Sequence, residues 1–152
     1  MQHLRPSRRT MVMGGVVGVA HLLLVTVVWL WFASREPYPT MFQEPAAVLS
    51  YSYPMNVWFV GTVVGLVLLG LVPTVLFLER RLVVPAFSVA VWFVIHLYFR
   101  WQTFQETMSV MGIPPLDFYI FGGVYALTTA VLGGAAEYVA RRHLTRVVRS
   151  ST

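Results

Sequence analysis

The chain has 152 residues, of which 57% are hydrophobic and 11% charged, against about 25% charged in a soluble domain. Its mean hydropathy is +0.69. Together these values exclude an ordinary water-soluble fold and leave one integral membrane domain over 1–152. Cysteine is absent, which excludes disulfides, thiolate metal sites and cysteine nucleophiles. The formal net charge of +5 comes from arginines alone, without lysine. In a membrane protein it reports basic cytoplasmic segments, so no nucleic-acid partner is expected.

The first apolar run, MVMGGVVGVAHLLLVTVVWLWF (11–32), follows the paired arginines of SRRTMVM (7–13). Paired arginines also open export signals. This run is longer than a signal core of roughly 7–15 residues, lacks a small-x-small cleavage pattern and is followed by further spans. It is expected to remain as an uncleaved first span. The segment 33–56 then carries Pro37, Pro39, Pro45 and Pro54. Proline fixes φ and removes a donor, so a continuous helix is excluded there. The expected structure is an outer loop capping the bundle, with room for a short helix across AAVLSY and for a contact surface.

The second run is 57–78 and the third 82–100, joined by little more than Glu79-Arg80-Arg81. So short a turn predicts an antiparallel helical hairpin. Pro85 falls in a first turn, where the missing N–H costs little, and Pro73 lies deeper, where a kink is expected. The third run ends in HLYFRWQTFQETM (96–108). There Trp101, Phe104, Met108 and Met111 continue an apolar stripe that predicts an amphipathic extension over 101–111, ended by Gly112-Ile-Pro-Pro. The fourth run is 116–140. A basic tail, 141–152, follows it without a breaker. Ala140, Leu144, Val147 and Val148 form a stripe suited to a helix on anionic lipids of the inner leaflet.

A helix crossing a core of roughly 30 Å needs about 20 residues, so the four runs predict an all-α, polytopic, four-transmembrane-helix bundle. With both termini cytoplasmic, nine arginines lie inside: Arg5, Arg8, Arg9, Arg80, Arg81, Arg141, Arg142, Arg146 and Arg149. Only Arg35 and Arg100 lie outside. That is a positive-inside pattern for a multi-pass protein of the cell membrane. Trp29, Trp31, Phe32, Trp58, Phe59 and Trp101 fall at the outer boundary, where amphipathic rings belong.

Small residues four apart mark three helix faces: Gly14 with Gly18, Gly61 with Gly65, and Ala126 with Ala130 and Gly134. Such faces let helix backbones approach closely, within a chain or between chains. His21 lies deep in the first span and His96 near the outer end of the third. Two histidines on different helices are the ligand types of a b haem, but their depths differ by roughly 8–10 Å. A neutral His21 bonded to a carbonyl, to Thr26 or to a neighbouring helix is the simpler expectation. His96 and Arg100 share a face. Arg100 is read as an anchor reaching the headgroups, or with His96 and Glu106 as a polar outer-side site near Glu36 and Glu44.

No carboxylate falls near the midplane, which disfavours a carboxylate-driven transporter. A pore would have to use Thr62, Thr74, Ser88, Tyr125, Thr128 and Thr129. Catalytic and phosphate-cradling motifs are absent, and Ser88 and His96 are about 12 Å apart along one helix. The chain is therefore not expected to be an enzyme or to need a cofactor or metal. The expected role is association through helix faces, as an accessory subunit or homo-oligomer. A haem-binding redox subunit (His21/His96) and a small transporter or channel stand as alternatives.

Overall fold

The computed structural model describes residues 6–35, 55–107 and 115–150. These form four helices and, among the described residues, no strand: α1 (Arg8–Ala33), α2 (Met55–Arg80), α3 (Val84–Thr107) and α4 (Pro115–Ser150). Three are long and apolar enough to cross a membrane, over Arg8–Phe32, Val60–Arg80 and Val84–Gln105. Residues 36–54 and 108–114, with Glu36, Glu44, Met108, Met111 and the AAVLSY stretch, lie outside the described residues. So do the side chains of Trp29, Trp58, Phe59, Glu106 and Asp117.

Two antiparallel pairs make the bundle. The broadest contact is α1 on α2, the next α3 on α4, and α2 joins the pairs by touching both α4 and α3. The α1–α2 register reads from its contacts: Ser7 meets Glu79, Gly14 meets Leu71 and Val75, Gly18 meets Val67 and Gly70, and His21 meets Leu66. In the second pair Val84 meets Glu137, Pro85 meets Gly134 and Trp92 meets Thr129. The short turn at 81–83 does bring α2 and α3 together, yet their shared contact is the smallest of the four. The wider seams form where glycines let backbones close.

That turn has its own cap. Arg81 has φ 54°, and its N–H donates to the Phe77 carbonyl at 2.8 Å. This is the left-handed residue that ends many helices, here not a glycine. Leu82 follows, 4% exposed, and packs on α4 near Gly134.

The structure describes how two helix ends continue. α3 does not bend at Arg100; it continues unbroken to Thr107, so 101–107 prolongs the third helix. The basic tail is not a separate surface helix through Ser150, because α4 runs for 36 residues, about 54 Å, without interruption. Alanine, leucine and arginine are good helix formers, and nothing between Glu137 and Ser150 breaks the chain.

The core is thin and set by small side chains. Val25, Leu66, Leu69, Val89, Ala126 and Ala130 are buried, with Leu22, Val28, Trp92, Phe93 and Leu127 packed around them. Large apolar residues instead cover the outside: Val16 is 65% exposed, Phe87 68% and Val124 69%. An apolar exterior over a small-residue interior suits a hydrocarbon solvent, in which packing rather than burial from water holds helices together.

Candidate functional site

Three regions carry the chemistry: the small-residue faces, the polar groups within the helices, and the two ends of the bundle.

The small-residue faces divide. A Cβ added at Gly18 would lie 2.6 Å from the Val67 carbonyl oxygen, and one at Gly70 would lie 2.7 Å from the Gly18 Cα. These are backbone atoms, which cannot step aside. Gly14 faces Val75 and Leu71 in the same seam. On the other pair, Gly133 faces Val84 and Gly134 faces Pro85, while Ala126 and Ala130 are fully buried in the core. Gly61 and Gly65 differ. Among the described residues nothing lies within 4 Å of a Cβ built at either, and Gly61 is exposed. They share the outer face of α2 with Val57, Val60, Val64 and Leu68. Gly70 had no sequence signal of its own. Its role follows only once α2 is set antiparallel to α1, with Gly18 at the same level.

The histidines are not brought to one place. His21 Nδ1 is 2.9 Å from the Leu66 carbonyl oxygen of α2, a bond between helices. His96 Nδ1 is 2.8 Å from the Trp92 carbonyl oxygen one turn back on its own helix, with its ring 5.5 Å from the Trp92 ring. Contacts of Trp31 with Trp101 and Phe32 with Phe104 set the level of α1 against α3. On that register His96 lies three to five residues, about 4–8 Å, beyond His21 along the bundle. Trp92 Nε1 donates to Thr129 Oγ1 at 3.0 Å, joining α3 to α4. The hydroxyls of Thr74, Thr128 and Thr129 donate to carbonyls of their own helices. Among the described residues no group of three metal-ligating side chains occurs.

One end of the bundle holds an aromatic cluster. Trp31 and Trp101 stack with centroids 6.5 Å apart, and Phe32 meets Phe104 edge-on at 5.9 Å. Arg100 lies inside this cluster. It is 2% exposed, and its Cζ stands 5.3 Å from the centre of the Phe32 ring. The expectation that Arg100 reaches out to headgroups is therefore corrected. The end of α1 covers it, and a cation over an aromatic face is favourable at this distance. Arg35 behaves as the exposed counterpart, 3.7 Å over the Trp31 ring. His96 and Arg100 sit in the same part of α3, while the side chain of Glu106, the third member of the proposed polar group, lies outside those described.

The opposite end holds Arg8, Arg9, Arg80, Arg81, Arg141 and Arg142, and two carboxylates bind helix starts across it. Ser7 caps α1, its Oγ accepting from the Thr10 N–H at 3.1 Å, while its own N–H donates to Glu79 Oε1 at 3.0 Å. A capping box takes that second acceptor from the same helix; here α2 supplies it. Glu137 of α4 likewise accepts the Val84 N–H that opens α3, at 2.9 Å, and pairs with Arg141. Glu137 and Arg141 stand i, i+4 apart, so that pairing follows from the sequence, and the bonds across helices do not. Directly after Glu137 on α4, Tyr138, Val139, Arg142 and His143 line an open depression of about 250 Å³, and Arg80 Cζ lies 5.9 Å from the Tyr138 ring.

The chain matches no protein family, and no curated protein or solved structure shows significant similarity to it.

Proposed function

We propose that this chain is a small integral membrane protein of the cell membrane that crosses the bilayer four times, with both termini cytoplasmic. It works through helix association, as an accessory subunit or as a homo-oligomer. The observation that carries this reading is the contrast between glycines. Those at 14, 18, 70, 133 and 134 are occupied by the chain's own helices, whereas Gly61 and Gly65 face outward on α2 with nothing described against them. A glycine pair inside a valine-rich outer face weakens packing against lipid but admits the close approach of another helix. The segregation of arginines to one end supports the inward placement of the termini. The α4 run 116–140 is long enough for the fourth crossing.

The test is replacement of Gly61 and Gly65 together by leucine. The variant is expected to keep its helix content and thermal midpoint while losing the assembled species in light-scattering chromatography. An unchanged assembled mass would overturn the reading.

A further inference from the structure

We propose that the outward face of α4 around Tyr125 is an interface with a second copy of this chain, closed by the two Tyr125 hydroxyls at mid-membrane. The inference rests on the fourth crossing proposed above, and it adds to the α2 glycine face a second face with a named partner.

Depth is the first support. The bond from the Val84 N–H to Glu137 sets residue 137 of α4 level with the start of α3, and the bond from Trp92 to Thr129 keeps the same register. Counted outward from that level, Thr129 lies at about 12 Å and Tyr125 at about 18 Å. A hydrocarbon core of roughly 30 Å that begins there has its midplane at about 15 Å. Tyr125 is therefore close to the midplane and about 12 Å short of the outer boundary, more than a tyrosine side chain spans. Tyrosines in membranes belong at the interfaces, where the hydroxyl is wet. This one does not reach an interface.

Its surroundings are the second. Tyr125 is 68% exposed, and its hydroxyl has no hydrogen-bond partner among the described residues. The neighbouring hydroxyls are satisfied within the chain. Thr128 Oγ1 donates to the Val124 carbonyl at 2.7 Å, and Thr129 Oγ1 donates to the Tyr125 carbonyl at 2.9 Å while accepting from Trp92 Nε1. An unbonded hydroxyl costs most in a solvent that offers no hydrogen bond, and hydrocarbon offers none. The Tyr125 hydroxyl therefore calls for a group outside this chain.

Symmetry selects the occupant. Copies of one chain share one orientation in the membrane, so a two-fold axis along its normal brings Tyr125 to Tyr125 at equal depth. A phenol hydroxyl donates and accepts, so such a pair satisfies itself. Leu132, Ala136 and Val139 lie on the same helix face; all are exposed and none is charged. One hydroxyl pair is a weak hold, so the contact is read within the membrane and not after dilution into micelles.

The experiment is disulfide trapping of the full chain in the membranes of expressing cells, with copper–phenanthroline as an apolar oxidant. The chain has no cysteine of its own. Leu132→Cys keeps Tyr125, places a thiol on its face and is expected to trap a dimer. Val94→Cys on α3, at a position 61% exposed, is the control for chance collision and is expected to trap far less. Equal trapping at both positions would overturn the interface. Tyr125→Phe added to Leu132→Cys removes only the hydroxyl and should lower trapping about threefold, the usual worth of one hydrogen bond between membrane helices. Unchanged trapping would overturn the hydroxyl pair. Gly61→Leu with Gly65→Leu should leave trapping at 132 as it was; its loss would make the α4 contact a consequence of assembly through α2 and overturn it as an interface of its own. The crossing is read separately. Leu132→Cys, with Tyr125 or with Phe in its place, should resist a membrane-impermeant maleimide in opened membranes. Labelling there would overturn the fourth crossing, whereas an unlabelled thiol that traps no dimer would overturn the α4 interface alone.

Discussion

Two glycine pairs on two helices carry the same spacing and meet opposite surroundings. Gly14 and Gly18 of α1 are closed against α2, with Gly18 and Gly70 approaching backbone to backbone. Gly61 and Gly65 of α2 look away from that seam, onto an outer face of valines. A small-residue pair therefore records that a close approach is possible, and the register of the neighbouring helix decides whether the chain uses it. In α2 the choice falls between its two ends. The half near Gly70 is committed to α1, and among the described residues nothing stands against the two glycines of the other half.

The contrast can be broken most severely on the closed side. Gly70→Leu would drive a side chain into the Gly18 Cα and the Val17 carbonyl. A loss of about 3 kcal/mol or more is expected, since backbone on both sides prevents relief. Thermal unfolding in detergent should show a large drop in midpoint or no folded protein. Gly61→Leu with Gly65→Leu should leave the same midpoint within about 0.5 kcal/mol of the parent, as open surface positions do. A midpoint that fell as far as for Gly70→Leu would erase the distinction.

His21→Leu sharpens the comparison at the next level down. It removes the bond to the Leu66 carbonyl while keeping bulk in the α1–α2 seam, and should cost about 1 kcal/mol. Trp92→Phe does the equivalent in the α3–α4 pair by removing the donor to Thr129. About 0.6 kcal/mol is expected, the usual worth of a hydrogen bond between helices in a membrane. Glu79→Gln should have the smallest effect. It keeps an oxygen acceptor for the Ser7 N–H at an exposed position, where Glu79 also accepts from Thr10, so the midpoint should move less than for Trp92→Phe. A larger shift would make the arginine-rich end, rather than the glycine seam, the stronger hold on α1.

The helices were legible in sequence because the bilayer fixes their length and their apolar character. The separation of arginines was legible for the same reason. Nine of the 11 cations fall in three segments, and the structure gathers the described ones at one end. What could not be read is whatever depends on the residue that arrives opposite. Glu79 and Glu137 read as turn and i, i+4 residues, yet each also caps a different helix. Arg100 read as an anchor, or as part of a polar group with His96 and Glu106; the structure buries it against Phe32, beside Phe104. Gly61 and Gly65 read like Gly14 and Gly18, because spacing along one helix contains no information about its neighbour's azimuth.

The α1–α2 seam lies wholly within the first 81 residues. A ribosome delivers both of its sides before α3 exists. Its bonds, from Ser7 with Glu79 to His21 with Leu66, need nothing from the second half. The second pair likewise closes on itself through Glu137, Pro85 and Trp92. On the proposed topology, biogenesis can proceed as two hairpin insertions followed by one docking step, in which Leu69 comes to face Gly123. Separately expressed halves, cut in the turn after Arg81, should recombine in the membrane into a complementing pair.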